Sequence, residues 1–565
     1  MNLNAPQRQA VFHKEGPCLV IAGPGSGKTA VLTQRVKELI NSGVPANEVL
    51  VITFTKAAAI EMKERFERLS EERAPVTFGT FHSLFWGIIQ KELGYKNCDI
   101  IMGAAKERVY REAMHLAGED EAEIPKKYQF LKDKYHVLDF DDMLTKAHQL
   151  FLQRPQVLTK WQDRFTYFLV DEMQDMNDLQ FQLILMLSAK TNNLFCVGDD
   201  DQSIYGFRGA NPKMMQDFME IYPDATKIIL DYNYRNPKNI VTAAGSLIGV
   251  NKNRFPKDIK STTPEGSIQV LERNSPEEEA DYIINSICKL REKGVSLDEI
   301  AVLYRNHSDA RYVVDRLVSS DIPFYLKEQM PNVYTHFIIS DIENYFQLAL
   351  GNITKARMLA ILNRPNRFLH RQSVERGAEK RAMLDFYKIN PGNYRTVEAL
   401  WADIELIGKM NAVAAISYIR RAMGYDTFLA EEAVKKQVDY SEYRDVLDFI
   451  TEVFRECRTV RQAIDKLNIL RLKIDYENKN RNVDKTGKVG LYTLHSSKGL
   501  EFENVFIIAV NDGIIPNSKA ETREEMEGER RLFYVGITRC KKNLSITYNN
   551  KKNRDKSRFL SEMKI

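Results

Sequence analysis

The sequence predicts an α/β protein with two parallel-sheet cores, each interrupted by a mainly helical insertion. Short, continuous apolar runs recur along the chain, which is the pattern of strands buried on both faces of a parallel sheet. One set of runs lies before residue 231, and a second lies between 268 and 548. Charged stretches with helical periodicity separate the members of each set. A chain of 565 residues is also too long for a single hydrophobic core, so several domains are expected.

The same pattern divides the chain into consecutive segments. The predicted segments are 1–88, the first part of the first core with a phosphate-binding loop; 89–164, a helical insertion; 165–231, the rest of the first core; 232–335, the first part of the second core; 336–486, a second helical insertion; and 487–565, the rest of the second core. The two cores are therefore each expected to be discontinuous in sequence.

Composition and charge argue against several classes of protein. A content of 44% hydrophobic and 28% charged residues is ordinary for a globular protein, and a net charge of +4 permits nucleic acid without demanding it. The six cysteines form no C-x-x-C pair, which argues against a zinc site, an iron–sulfur cluster or a disulfide framework. There is no basic-apolar leader and no apolar run of membrane-spanning length. We therefore expect a cytoplasmic protein with reduced thiols and no membrane contact.

A glycine-rich loop follows the first apolar run. The run CLVIA (18–22) leads directly into GPGSGKT (23–29), which matches the pattern G-x-x-x-x-G-K-[ST]. A helical pattern follows, so the loop is expected to open a helix whose N-terminus binds phosphate. Lys28 is expected to reach the β- and γ-phosphates and Thr29 to hold Mg²⁺. The residues predicted to bind the nucleotide here are Gly23, Gly25, Ser26, Gly27, Lys28, Thr29 and Ala30.

Acidic and polar residues follow two later apolar runs, where a doubly wound sheet has its ligand crevice. Asp171 is expected to complete the Mg²⁺ shell, and Glu172 to orient and deprotonate the attacking water. Gln202 follows the next run and is a candidate sensor of the γ-phosphate. The sequence therefore predicts a triphosphate hydrolase.

Arginines directed at the γ-phosphate are expected in such a site, because hydrolysis depends on charge neutralisation in the transition state. Arg235 and Arg539 are the candidates, and both lie outside the first core. They would put the nucleotide in the cleft between the cores. Their spacing alone does not distinguish them from other surface or structural arginines.

Several stretches taken together resemble the motifs of superfamily 1 DNA helicases of the UvrD/Rep/PcrA type. The resemblance covers nearly the whole chain, and the motifs stand in the order that is typical of the family. The stretches are LNAPQR (3–8), AGPGSGKT (22–29), ITFTKAAAIEM (52–62), GTFHS (79–83), VDEMQD (170–175), VGDDDQSIYGFRGA (197–210), NYR (233–235), TLHSSKGLEF (493–502) and ERRLFYVGITR (529–539).

The resemblance implies two RecA-like cores with ATP and Mg²⁺ as cofactors. It implies that Gln7 recognises adenine, that Tyr234 stacks on the base and that Glu501 contacts the ribose. It also implies that Arg235 and Arg539 contact the γ-phosphate. These roles come from the family motifs and not from spacing.

The resemblance further implies a path for single-stranded DNA across both cores. Aromatic faces stack on bases and polar groups contact phosphates without recognising sequence. The residues predicted to contact DNA are Phe54, Thr80, His82, Tyr205, Phe207, Arg208 and His495. The chain departs from the family in having Phe207 where tryptophan is usual and Lys56-Ala57 where Asn-Lys is usual. A phenylalanine still presents a π-face, so we expect stacking to persist.

The expected function is an ATP-driven helicase or translocase that moves along single-stranded DNA, 3′-to-5′ as the family implies, and acts at junctions with duplex. One alternative is a motor subunit of a nuclease or antiphage defence complex that unwinds weakly alone. A nuclease or repair protein is the kind of partner protein that we expect. A second alternative is a nucleotide-gated nucleic-acid-binding switch. ATPase stimulated by single strands separates a motor from a switch, and co-purification separates a lone helicase from a subunit.

Overall fold

The computed structural model describes residues 3–70, 74–118, 120–481, 485–551 and 554–565. The helices are α1 (Ala5–Val11), α2 (Lys28–Asn41), α3 (Lys56–Leu69), α4 (Phe81–Leu93), α5 (Ala104–Ala117), α6 (Ile124–Tyr135), α7 (Phe140–Gln153), α8 (Pro155–Gln162), α9 (Asp178–Ser188), α10 (Met214–Ile221), α11 (Lys238–Ile248), α12 (Pro276–Glu292), α13 (Arg311–Ser319), α14 (Phe337–Ala349), α15 (Lys355–Ile361), α16 (Lys380–Phe386), α17 (Pro391–Ile407), α18 (Ala412–Arg421), α19 (Tyr425–Lys436), α20 (Tyr440–Val453), α21 (Val460–Lys479), α22 (Arg523–Ile537) and α23 (Arg558–Glu562). The strands are β1 (Cys18–Ala22), β2 (Val49–Thr53), β3 (Thr77–Thr80), β4 (Tyr167–Val170), β5 (Leu194–Gly198), β6 (Thr226–Leu230), β7 (Tyr232–Pro237), β8 (Lys260–Thr263), β9 (Ser267–Arg273), β10 (Ile300–Tyr304), β11 (Phe324–Leu326), β12 (Val489–Thr493), β13 (Phe502–Ile507) and β14 (Cys540–Asn549).

The first sheet has six parallel strands in the order β3-β2-β4-β5-β1-β6. Its central strands are buried along their whole length because helices cover both faces. On one face Leu19 and Ile21 pack in a cluster with residues of α4, α7 and α9. On the other face Cys18 and Val20 pack with residues of α1, α2 and α3. Alternate residues of one strand therefore enter two separate clusters, as the pleat requires.

The second sheet also has six parallel strands, in the order β11-β12-β10-β13-β14-β9. Ile300 and Val302 of β10 pack toward α12 and α13, and Ala301 and Leu303 pack toward α11 and α22. The two parallel sheets with helices on both faces confirm the predicted fold class.

Helices occupy the stretches between the two parts of each sheet. The helices α5 to α8 lie between β3 and β4, and α14 to α21 lie between β11 and β12. In the first of these stretches the β-pairing among the described residues is limited to an isolated bridge between Ile100 and Leu138. The predicted segment boundaries themselves stay a prediction.

The strands β7 and β8 pair with each other in a separate two-stranded parallel sheet, apart from both larger ones. β7 is anchored to the second core by Asn236, which is fully buried. Its Nδ2 donates to the carbonyls of Thr538 and Cys540 at 3.0 and 2.6 Å. This anchor fixes the position of residues 233–235, which follow the first sheet directly.

None of the helices in the described part of the chain has the length and apolar character needed to cross a membrane.

Candidate functional site

The glycine-rich loop joins β1 to α2 and has the conformation that its glycines permit. Gly25 and Gly27 have φ values of +64° and +84°, which are unfavourable for residues with a side chain. Gly27 caps α2, so the first amides of that helix are presented at the end of the loop. The Ser26 hydroxyl closes the turn by donating to the Gly23 carbonyl at 2.7 Å. This arrangement of amides at a helix N-terminus is suited to an anion.

The loop lies in direct contact with β7. The Tyr234 amide donates to the Gly25 carbonyl at 2.9 Å. A Cβ on Gly25 would lie 2.6 Å from the Arg235 Cβ and 2.8 Å from the Asn233 Oδ1. The absence of a side chain at Gly25 therefore permits the predicted arginine to stand beside the phosphate-binding loop.

Gln7 is buried and contacts the loop with its amide. Its Nε2 donates to the Ser26 carbonyl at 3.0 Å, and its Oε1 accepts from the Asn4 amide at 3.1 Å. Asn4 in turn donates from Nδ2 to the Tyr234 hydroxyl at 2.8 Å, while Tyr234 stays 48% exposed. The structure thus brings Gln7 and Tyr234 to the same end of the loop. Recognition of adenine by Gln7 stays a prediction.

Asp171 follows β4 and has an unsatisfied carboxylate oxygen. Its Oδ1 is buried and accepts no hydrogen bond from any residue that the structure describes. Burial, with the Glu172 carboxylate beside it, raises the pKa of Asp171 to about 7. A cation at this oxygen would supply the missing partner and favour the ionised carboxylate. Thr29 stands in the first turn of α2, so a hydroxyl and a carboxylate are available to a hard divalent cation.

Glu172 is held in a left-handed conformation, with φ of 52°, and is surrounded by cationic and polar partners. Burial opposes its ionisation, but the Lys28 and Lys498 ammonium groups and a hydrogen bond from Gln174 outweigh burial and hold the pKa of Glu172 below its ordinary value. The Lys28 Nζ lies 3.9 Å from the Glu172 Oε1. Glu172 is therefore a carboxylate at neutral pH, which is the state that a general base requires.

Arg539 extends from the second core to the first. It is buried, with 1% of its surface exposed, and its Nε donates to the Val535 carbonyl at 2.8 Å. Its Nη2 donates to the Gln202 Oε1 at 3.2 Å. Burial, and then the neighbouring Arg235 charge, lowers the pKa of Arg539 to about 9. The structure thus joins two residues predicted to act on the γ-phosphate.

Arg235 and Glu501 are paired directly. The Arg235 Nε donates to the Glu501 Oε2 at 2.7 Å. Both were predicted as nucleotide ligands, one for the γ-phosphate and one for the ribose. The structure brings them together at the cleft, and their separate contacts with ATP stay predictions.

Lys498 is a residue of the cleft that the sequence reasoning missed. Its Nζ donates to both carboxylate oxygens of Asp175, at 2.8 and 2.6 Å, and to the Gln202 carbonyl at 2.8 Å. The same ammonium group lies 5.1 Å from the centre of the Tyr205 ring. Lys498 stands within the stretch 493–502, but nothing local distinguishes it from the other lysines and arginines, 81 in total.

A row of rings crosses from the first core to the second. Phe54 and Tyr205 are stacked, with centroids 5.6 Å apart and an interplanar angle of 11°. Tyr205 and Phe207 lie 6.1 Å apart, and Phe207 meets the His495 ring edge to face at 5.3 Å. Phe207 is 68% exposed. Four of the residues predicted to contact DNA therefore form one continuous surface.

A cavity of about 710 Å³ lies beside this row of rings. Its lining includes Phe207, Arg305, His495, Lys519 and Arg531, from both cores. The lining also includes three glutamates of α22, so the cavity offers π-faces to bases but no excess of positive charge.

The remaining predicted DNA contacts lie at the start of α4 and after β5. Thr80 caps α4, with its hydroxyl accepting from the Ser83 amide at 3.2 Å. The His82 ring lies 5.7 Å from Phe140, and burial lowers the pKa of His82 despite the opposing charge of Asp141. Phe54 and His82 line a second cavity, of about 310 Å³. The side chain of Arg208 lies outside the described residues.

Comparison with known proteins identifies matches along the whole chain. The UvrD/REP helicase N-terminal domain matches residues 3–114 and 103–223, and the UvrD-like helicase C-terminal domain matches 228–551. The chain is 32% identical to the putative ATP-dependent DNA helicase YjcD of Bacillus subtilis, over 99% of this chain and 81% of that protein. It is 32% identical to the ATP-dependent DNA helicase PcrA of Staphylococcus epidermidis, over 100% of this chain and 86% of that protein. For PcrA of Leuconostoc citreum the identity is 30%, over 99% and 84%.

The contact between Gly25 and β7 gives a test of the site geometry. We expect Gly25→Ala to lower ATP affinity about tenfold, because the added Cβ forces β7 away from the loop. Gly16→Ala is the matched control, since Gly16 also has a positive φ, +87°, but no described heavy atom lies within 4 Å of its Cβ position. Both variants should lose stability, and only Gly25→Ala should lose affinity for a fluorescent ATP analogue. Equal affinity losses in the two variants would contradict this geometry.

Proposed function

The chain belongs to the UvrD-like family of ATP-dependent DNA helicases, and we propose that it moves along single-stranded DNA in the 3′-to-5′ direction, coupling ATP hydrolysis to strand separation or protein displacement. The observation that carries the proposal is the continuous row of rings across the cleft, from Phe54 to His495. This row adjoins the predicted ATP site through Lys498, which contacts Tyr205 on one side and Asp175 on the other. A motion of one core relative to the other would therefore change the contacts to ATP and to DNA together.

ATP is proposed to bind between the loop of the first core and the arginines of the second. The amides after Gly23 and the Lys28 ammonium group would hold the β- and γ-phosphates. Thr29 and Asp171 would hold Mg²⁺, which supplies positive charge to the phosphates when bound. The chemistry of these two side chains fits such an ion because the Asp171 Oδ1 lacks any other described partner.

Hydrolysis is proposed to rest on residues from both cores. Glu172, ionised and next to Asp171, would orient the attacking water and accept its proton. Gln202, Arg235 and Arg539 would contact the γ-phosphate as negative charge develops on its oxygens. Because Arg539 belongs to the second core and Gln202 to the first, turnover requires the cores to be closed.

Movement along DNA is proposed to follow from opening and closing of this cleft. ATP draws the cores together because both contribute to its site, and loss of the γ-phosphate removes that bridge. If the two ends of the ring row hold the strand alternately, each cycle advances the protein along it. Stacking on Phe207 and its neighbours is independent of sequence, since every base has a π-face. The 3′-to-5′ direction is supported by resemblance to the family.

The proposed substrate is a single strand next to a duplex, and a nuclease or repair protein is the kind of partner with which such a motor would act. Partial duplexes that carry only a 3′ or only a 5′ single-stranded tail test the direction. A 3′-to-5′ motor unwinds the substrate with the 3′ tail. Unwinding only with the 5′ tail would contradict the proposal.

The assay for the proposed function is the ATPase rate with and without a single-stranded DNA oligomer, at two salt concentrations, beside RNA of the same sequence. We expect strong stimulation by DNA that falls with salt, because phosphate contacts release counterions. The absence of stimulation by either strand would contradict a DNA motor.

Two substitutions separate ATP binding from hydrolysis. We expect Lys28→Ala to abolish ATPase by removing the phosphate contact. Glu172→Gln should retain ATP and DNA binding while lowering turnover by about 10² or more, since general-base catalysis contributes that much. Lys63→Ala is the control, because the contact of Lys63 that the structure describes is a solvated ion pair with Glu67 on α3. Normal ATP turnover by Glu172→Gln would contradict the role of Glu172 as the general base.

Phe207 provides the test of the DNA path. We expect Phe207→Ala to weaken single-strand binding by ~1–3 kcal/mol, the usual contribution of one stacked base. Phe207→Trp should retain binding, because it keeps the π-face. Phe12→Ala is the control, since Phe12 is also exposed but precedes β1, at the opposite edge of the sheet. Fluorescence anisotropy with a labelled oligothymidine measures all three variants, and unchanged affinity of Phe207→Ala would argue against stacking there.

A further inference from the structure

Three consecutive aspartates after β5 are buried and are balanced by two cations from a distant segment. Asp199, Asp200 and Asp201 are each at most 4% exposed. The Lys257 Nζ lies 2.6 Å from Asp199 and 2.8 Å from Asp201. Arg254 adds a bidentate pair to Asp201, at 2.8 and 2.7 Å. Buried carboxylates are costly without such partners, so the two cations stabilise the folded protein.

The cluster is connected to Gln202 through the two oxygens of one carboxylate. The Asp199 Oδ1 accepts from the Lys257 Nζ at 2.6 Å, and the Asp199 Oδ2 accepts from the Gln202 Nε2 at 2.6 Å. The opposite end of the same amide, the Gln202 Oε1, then accepts from the Arg539 Nη2. Each bond in this series has a fixed donor and acceptor, so Asp199 determines which end of the Gln202 amide faces Arg539.

We propose that Lys257 and Asp199 are positioning residues for ATP hydrolysis, which orient the Gln202 amide so that its oxygen meets Arg539 in the closed cleft. The inference rests on the proposed function, and it adds two residues to which no catalytic role was assigned above. Lys257 is 1% exposed at its side chain. Burial alone would lower the pKa of Lys257, but the three carboxylates outweigh burial and raise the pKa well above its ordinary value, so the ammonium group stays charged.

The backbone of Asp199 is also connected to Glu172, through the side chain of Gln174. The Asp199 amide donates to the Gln174 Oε1 at 2.9 Å, and the Gln174 Nε2 donates to Glu172. A Cβ on Gly198 would lie 2.7 Å from the Gln174 Oε1, so a side chain there would displace the Gln174 amide. Because this second contact uses the backbone of Asp199, a change in its side chain disturbs Gln202 and leaves Gln174 in place.

Asp199→Asn tests the proposal with almost no change in shape. Asparagine offers one acceptor, which Lys257 occupies, and its Nδ2 then faces the Gln202 Nε2, so that two donors meet. If the Gln202 amide rotates to relieve this, its Nε2 faces Arg539 and the donors conflict there instead. We expect kcat of the DNA-stimulated ATPase to fall about 10- to 100-fold, the effect typical of losing an orienting partner, with KM for ATP nearly unchanged.

A double-mutant cycle separates positioning from a general loss of structure. Because Asp199 acts through Gln202, Asp199→Asn should cost no further kcat in a Gln202→Ala background. Lys257→Met should likewise lower kcat in the wild-type background and cost no further kcat in the Gln202→Ala background. If removal of the buried lysine prevents folding, the test rests on Asp199→Asn. Arg254→Met is the matched control, since it removes the other cation of the cluster without touching Asp199 or Gln202. It should lower the melting temperature and leave kcat within about twofold.

The outcomes distinguish this inference from the proposed function. A wild-type protein without strand-stimulated ATPase would overturn both. An active wild type with normal kcat in Asp199→Asn would overturn the positioning inference alone. The positioning inference would also be overturned if the losses of kcat in Asp199→Asn and Gln202→Ala were fully additive in the double variant. An equal loss of kcat in Arg254→Met would overturn it as well.

Discussion

The structure depends on the pairing of charges that are buried between the two cores. The edge of the first sheet carries five buried carboxylates, on Asp171, Asp175, Asp199, Asp200 and Asp201, each at most 8% exposed. Ionised groups in such a place are strongly unfavourable unless cations lie beside them. Lys498 and Lys257 supply that charge from elements that follow the first sheet. The ion pairs that hold the cleft closed therefore also neutralise the carboxylates around the predicted ATP site.

The same pairing connects the two ligand sites. Lys498 contacts Asp175 and the Gln202 carbonyl on the nucleotide side and the Tyr205 ring on the DNA side. Tyr205 in turn belongs to the row of rings that ends at His495. A continuous set of contacts therefore runs from the predicted hydrolysis site to the predicted strand path. Contacts of this kind are a physical route by which a change at one site can bias the other.

Much of the site could be predicted where the signal is local. The loop from Gly23 to Thr29 follows from a short apolar strand, glycines that adopt positive φ and a helix start, all within neighbouring residues. The aromatic residues Tyr205 and Phe207 were selected by their motif, and the structure adds their mutual contacts and that with His495. The separate pairing of β7 with β8 was not predicted, because these short polar strands have no apolar periodicity to reveal their partners.

The sequence by itself determined most strands of the two larger sheets and the phosphate-binding loop, because periodicity and glycine conformation are properties of adjacent residues. Only the tertiary structure decided which partners the cations of the cleft contact, and it added Lys498 and Lys257 to the predicted arginines. Arg539 meets Gln202 across 337 residues, and Lys498 meets Asp175 across 323. Lys257 had no motif to select it from the other basic residues. Its role emerges only from the folded structure, in which its buried ammonium group contacts all three carboxylates of Asp199, Asp200 and Asp201.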